Sequence, residues 1–281
     1  MFLSERCVWP YAYRRGSSPL IVSMPHVGTF IPHSVGRELN DCAARRADTD
    51  WHLARLYDFL GELDATVVTA LFSRYVIDVN RPADGANLYP GRDTPKLCPA
   101  DTFDREPLYR ERGPGTGEIA RRLETLWRPY HARLQREIAR VLSAHGTAIL
   151  WDAHSIVSVA PRLFEGRLAD FNLGTADGAA CDPALALSLL AALKKHSRFS
   201  AVLNGRFKGG HITRAHGDPA RGVHAIQLEM SEANYMDEIS PYTFREAKAD
   251  AIRPILREQL AIATRWAIER PGRQRGAASR V

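Results

Sequence analysis

Apolar positions along the chain fall into two rhythms. Short, largely β-branched runs occur at Leu20–Met24 (LIVSM), Thr66–Ala70 (TVVTA), 75–79 (YVIDV), 147–151 (TAILW) and 224–230 (HAIQLEM). Runs this short and continuous predict strands buried on both faces, as in parallel sheets. Between them the apolar spacing lengthens to three and four. Leu53, Leu56, Leu60 and Leu63 predict a helix over 49–63. Ile119, Leu123, Leu126, Tyr130, Leu134, Ile138 and Val141 draw one continuous stripe through 117–144. Two further helices are predicted over 183–196, with Asp182 as N-cap and Pro183 in the first turn, and over 244–268. The alternation implies an α/β fold, a three-layer sandwich around a mainly parallel or mixed sheet. Residues 82–117, rich in Pro, Gly, Asp and Arg, and residues 155–182 lack either period and predict long loops, the first of them beside a site.

At 281 residues, with 45% apolar and 25% charged side chains, the chain can bury one large core. The expected organisation is one catalytic domain over 1–268 and a flexible basic tail over 269–281. No run approaches the roughly 20 apolar residues needed to cross a bilayer. The first 16 residues lack the apolar core of a secretion signal, so a cytoplasmic location is expected. Cys7, Cys42, Cys98 and Cys181 are scattered and form no C-x-x-C pair, which argues against a zinc knuckle or a disulfide framework. The net charge of +6 raises the alternative of a nucleic-acid-binding protein. The last 17 residues weaken it: their five arginines and one glutamate supply +4 of that charge, leaving a nearly neutral body.

In open α/β sheets, ligand sites gather beyond the carboxyl ends of the strands. His26 leaves the first strand in the sequence PHVG, where a glycine allows a sharp turn. Asp152 and His154 (WDAHS) leave the fourth, and two residues two apart on a strand share a side. Together the histidines make a two-histidine metal site, with Asp152 orienting a ring as an outer partner. Of Asp48 and Asp50 (DTDW), one is expected to serve a helix N-terminus and the other to be an oxygen ligand. Asn80 and Arg81 end DVNRP and suit carboxylate recognition, unless Arg81 merely pairs with Asp78. Glu229 interrupts an apolar strand in QLEM, a costly position unless paired or catalytic. GGHITR brings His211 and Arg214 behind two glycines. There is no G-x-S-x-G elbow, H-E-x-x-H helix or phosphate-binding loop.

With PHVG, DTDW, DVNRP, WDAHS, GGHITR and QLEM in this order, the chain closely resembles the N-formylglutamate deformylases over residues 15–265. NLYPGRD and DFNLGT add to the match. The resemblance implies hydrolysis of N-formyl-L-glutamate to formate and L-glutamate, the last step of one histidine-degradation route. It also implies a fold like that of the zinc carboxypeptidases. On this resemblance His26 and His154 are metal ligands and Glu229 is the general base. Thr29 stands where a carboxypeptidase would place its acidic ligand, so Asp50 is expected as the third ligand, with Asp48 the alternative. The expected cofactor is one divalent metal, zinc by preference. Arg81 and Arg214 are expected to clamp the two substrate carboxylates, helped by His211, with Arg74 or Arg81 at the developing oxyanion. The expected partner is a small acidic amide, with neither nucleic acid nor membrane. A related zinc deacylase or small carboxypeptidase is the alternative function.

Overall fold

The computed structural model describes residues 9–89, 91 and 93–270. Residues 271–281 of the expected tail, Cys7, and Pro90 and Arg92 of NLYPGRD lie outside the described residues. Seven strands form one sheet: β1 (Tyr11–Arg14), β2 (Leu20–Met24), β3 (Thr66–Ala70), β4 (Ala148–Ile156), β5 (Phe171–Gly174), β6 (Ala201–Leu203) and β7 (Val223–Ser231), in the order β1-β3-β2-β4-β7-β5-β6. The centre, β3-β2-β4-β7, is parallel. β1 pairs antiparallel with β3, and the parallel pair β5–β6 runs antiparallel to β7, so the sheet is mixed. Every residue of β2, β4 and β7 is buried, as the apolar runs predict for strands covered on both faces.

Helices cover both faces. The stripe through 117–144 forms a helical stretch from Thr116 to His145, ending in α1 (Arg128–His145) after a π-helical turn at Leu123–Trp127. Tyr130, Leu134, Ile138 and Val141 of α1 pack on Ile21, Val68, Leu150 and Ala225 of the sheet. On the other face lie α2 (Pro183–Lys195) and α4 (Glu246–Glu269). Leu185, Leu189, Ile252 and Leu256 pack there against Val22, Trp151, Ile226 and Leu228. Asp182 caps α2 as expected, its carboxylate accepting the Ala184 N–H at 2.7 Å. A short helix, α3 (His211–His216), packs against the ends of β4 and β7. Among the described residues, Cys42, Cys98 and Cys181 are unpaired, and no helix is long and apolar enough to cross a membrane.

Three expectations need correction. Residues 75–79 form no strand: they join the end of one buried turn, closed by the Val76 N–H on the Ser73 carbonyl at 2.9 Å, to the start of another, closed by the Arg81 N–H on the Asp78 carbonyl at 3.1 Å. A strand sends its side chains to two faces. This run sends them to three clusters: Tyr75 and Val76 to Val35 and Leu108, Ile77 to Leu97, and Val79 to α1. The helix over 49–63 shrinks to Leu53–Leu56 and a 3₁₀ turn at Asp58–Gly61. Its first turn is lost because the Asp50 N–H is taken by the His26 carbonyl at 3.1 Å and His52 adopts a left-handed φ of 60°. The stretch 155–182 is not all loop, since it supplies β5.

Candidate metal centre and substrate cavity

The site grows from a change in side-chain character along one face of the central strands. On the α1 side, β4 runs Ala148 and Leu150, then Asp152 and His154; β7 runs Ala225, then Gln227 and Glu229. The parallel register sets His154 beside Glu229 and Asp152 beside Gln227. His26 follows β2, the next strand over. Gly28 lets that turn close: a Cβ there would lie 2.3 Å from the Phe72 carbonyl oxygen.

His26, Asp50 and His154, all buried, offer ligand atoms that lie within 4.8 Å of one another. Asp50 stands between the rings, with Oδ1 3.9 Å from His26 Nδ1 and Oδ2 3.2 Å from His154 Nδ1. Both inward nitrogens are therefore Nδ1, and both outward Nε2 atoms meet an acid. His26 Nε2 is 2.7 Å from Asp78 Oδ1. His154 Nε2 is 3.1 Å from Asp152 Oδ2 and 3.0 Å from the Asn80 side-chain nitrogen. A ring that gives Nδ1 to a cation keeps its proton on Nε2, and Asp152 is the neighbour able to accept it. The helix-capping role expected for one of Asp48 and Asp50 belongs to neither. Asp48 turns its carboxylate to the Phe103 N–H, 3.0 and 3.2 Å away, and burial raises its pKa to about 6.

The rings differ electrostatically. Burial and the nearby Arg74 guanidinium lower the His26 pKa, against the pull of Asp78 and Asp50. Burial also disfavours charge on His154, but Asp152, Asp50 and Glu229 outweigh it and hold its pKa well above the usual value. For Glu229, burial is the leading cause of a pKa raised to about 7; Asp50 and Asp152 add to the rise, and His154 and Arg74 oppose it. Its Oε2 accepts the Gln227 amide N–H at 3.0 Å.

His26, His154, Glu229, Gln227, Asn80, Arg74 and Arg81 line one cavity, closed by Tyr89, Thr94, Pro95 and Phe103 from the irregular 82–117 stretch. The four residues 78–81 serve all parts of it. Asp78 receives His26, the Arg74 guanidinium at 2.7 Å and the Asn80 N–H at 2.8 Å. The alternative of an Asp78–Arg81 pair is set aside, since Asp78 hydrogen-bonds Arg74 instead. Arg81 spends Nε on the Pro95 carbonyl and Nη1 on the Asn80 carbonyl, both at 3.0 Å. Burial, with Arg74 nearby, lowers its pKa. The Asn80 side-chain oxygen accepts the Ile212 N–H at 2.8 Å. A Cβ on Gly210 would lie 2.4 Å from the Asn80 amide nitrogen, so only glycine admits that approach.

The helix leading into α1 grips this segment from outside. Trp127 donates to the Arg81 carbonyl at 2.9 Å. His131 Nε2 donates to the Val79 carbonyl at 2.8 Å, so its Nδ1 accepts from His216 Nε2 at 3.0 Å. Burial lowers the pKa of His131 to about 3 and of His216 to about 4, and each feels a neighbouring histidine.

Two expected substrate residues sit elsewhere. His211 joins this aromatic group, 5.2 Å from the His131 ring, and does not line the cavity. Arg214 lies over the Tyr89 ring at 5.4 Å, with Nε on the Gly209 carbonyl, and does not line it either. The cavity includes residues that the sequence reading passed over: Gln227, Ser155, Tyr89, Phe103 and Arg206. Gln227, two before Glu229 on a strand, was the one with a usable signal.

Comparison with known proteins matches this architecture to one family. Residues 18–236 match the family model of N-formylglutamate amidohydrolase. The chain is 48% identical over 260 residues to the N-formylglutamate deformylase of Pseudomonas putida and 49% identical to that of Pseudomonas aeruginosa. Each alignment covers 92% of this chain and 97% of the relative. The crystal structure of N-formylglutamate amidohydrolase from Ralstonia eutropha superposes with a TM-score of 0.77 at 26% identity, covering 92% of this chain and 98% of that one. A structure from Agrobacterium tumefaciens shares the fold at a TM-score of 0.71 and 21% identity, covering 93% and 97%. With the family model spanning most of the chain and relatives near half identical along almost their whole length, the protein belongs to the N-formylglutamate amidohydrolase family of enzymes.

Proposed function

We propose that the protein hydrolyses N-formyl-L-glutamate to formate and L-glutamate, with one divalent metal held by His26, Asp50 and His154. The observation that carries this reading is the convergence of those three groups beside a cavity lined by His26, His154, Glu229, Arg74 and Arg81. The donor set fits the cofactor: two inward imidazole nitrogens and a carboxylate, with acids behind the outer nitrogens, suit zinc and leave room for water and substrate. We read the fold as kin to the zinc carboxypeptidases on the same grounds. Histidine degradation in the cytoplasm is the setting that this substrate suggests.

When bound, the metal supplies Lewis acidity and lowers the pKa of water toward ~7. Glu229, with a pKa near 7, accepts a proton from the attacking water and returns it to the glutamate nitrogen as the C–N bond breaks. Arg74, held by Asp78, donates to the developing oxyanion. Arg81 binds a substrate carboxylate, and Asn80, fixed by Ile212, orients the amide. Arg214 and His211 act from outside the cavity, by supporting Tyr89 and the 78–81 segment.

The test measures amine release from N-formylglutamate, N-acetylglutamate and N-formylaspartate before and after chelation. N-formylglutamate should be the best substrate, and activity should vanish with the chelator and return with zinc. Preference for N-acetylglutamate would favour a related deacylase; chelator-resistant activity would refute the metal.

A further inference from the structure

A substrate built on glutamate carries two carboxylates separated by its side chain, and a cavity selective for it needs two cationic contacts at separate places. Among the described residues, three arginines line the cavity: Arg74, Arg81 and Arg206. Arg74 pairs with Asp78 in a buried ion pair and is already assigned to the developing oxyanion. Arg81 stands at the metal end, because its neighbour Asn80 touches His154. Nε and Nη1 of Arg81 are spent on carbonyls, and its Nη2 makes no hydrogen bond among the described residues.

Arg206 reaches the cavity from a different part of the fold. It follows β6, two strands beyond β7 in the sheet order and on the side away from His26. Its Nε donates to the Leu163 carbonyl, and its guanidinium lies 5.6 Å from the Tyr89 ring centre and 5.2 Å from that of Phe207. Contacts that include the Leu163 carbonyl and the Tyr89 and Phe207 rings preorganise this planar cation, with little rotamer freedom left to lose on binding a carboxylate. Leu163, Phe207 and Ile156 make this end of the wall apolar, the setting for the methylene groups of a glutamate side chain. Among the described residues, Glu229 is the single acidic one in the lining.

Resting on the function proposed above, we infer that Arg206 is the specificity residue for the distal side-chain carboxylate, while Arg81 takes the carboxylate beside the scissile amide. This moves the second clamp from Arg214, which shares the Tyr89 ring but lies outside the cavity, to Arg206 within it.

The test compares wild type with Arg206→Met and Arg206→Lys on N-formylglutamate and on N-formylglutamine, whose distal amide is neutral. Thermal melts check that the variants fold. A charge-assisted contact corresponds to roughly 10- to 100-fold in affinity. Arg206→Met should therefore raise KM for N-formylglutamate by about that factor, with kcat changed little, and should leave N-formylglutamine within about 3-fold. Arg206→Lys should recover part of the loss. Calorimetric binding of L-glutamate and L-glutamine makes the same comparison without turnover: only L-glutamate should weaken in Arg206→Met. Equal effects on the charged and neutral partners, or no effect, would overturn the inference. A wild-type enzyme inactive on both formyl compounds would refute the proposed function, and the binding comparison would still decide the role of Arg206.

Discussion

Along β7, Ile226, Leu228 and Met230 point to one side of the sheet, and Ala225, Gln227 and Glu229 point to the other. β4 divides in the same way, with Ile149, Trp151 and Ala153 opposite Leu150, Asp152 and His154. The α2/α4 face carries apolar residues as far as Ala153 of β4 and Met230 of β7, and its packing is a reservoir of stability. The α1 face is apolar for half its length and then becomes a buried polar site, which costs desolvation at every group. Adjacent residues on one strand thus belong to opposite sides of a trade between stability and chemistry.

Substitutions on the polar side should remove chemistry while the fold survives. His154→Ala should give the largest effect: metal content of the purified protein and N-formylglutamate turnover should fall together to background. A folded variant that keeps its metal would show that His154 is not a ligand. Glu229→Gln and Leu228→Ala then set neighbours against each other. The first should lower turnover by about two to four orders of magnitude with metal binding intact. The second should cost about 2–5 kcal/mol in denaturant melts and leave KM and metal content near normal. If Leu228→Ala damages turnover as Glu229→Gln does, the two faces are not separable.

A smaller effect is expected one layer out. Asp78→Asn should weaken metal affinity by about 10- to 100-fold in a chelator competition, because it removes the acid behind His26 Nε2. The smallest effect concerns the histidines under the 78–81 segment. Their folded pKa values, about 3 for His131 and about 4 for His216, lie below the ordinary 6.5, so the unfolded chain binds protons that the folded chain refuses. Their contribution to stability is complete above about pH 6.5 and is lost as pH falls toward 4 and then 3. His216→Gln should remove one such proton, flattening the stability–pH slope in that window by at most about 1.4 kcal/mol per pH unit. Asp48, raised to about 6, takes up a proton on folding and pushes the opposite way, so the difference between variant and wild type is the quantity to measure.

What the sequence disclosed follows from the same division. β2, β4 and β7 are legible because buried strands carry long apolar runs, and β3 because its run is largely β-branched. His154 and Glu229 are conspicuous because they break such runs. β1, β5 and β6 escaped notice because strands of three or four residues carry too few positions to show a period. Residues 75–79 deceived because buried turns need as much apolar surface as a buried strand. Asp78 and Arg206 could not be assigned from spacing: the partner that gives Asp78 its role, His26, is 52 residues away, and Arg206 reaches the cavity only through the return of the chain after β6.

The four-residue segment from Asp78 to Arg81 also matters for redesign. It steadies the His26 ring, touches His154 and carries Arg81, so under the proposed function a change made there for a new substrate would disturb the metal site as well. Arg206 enters on a separate loop, after β6. A library meant to retarget the enzyme to other acyl amino acids should hold 78–81 constant and vary 206 and its aromatic neighbours.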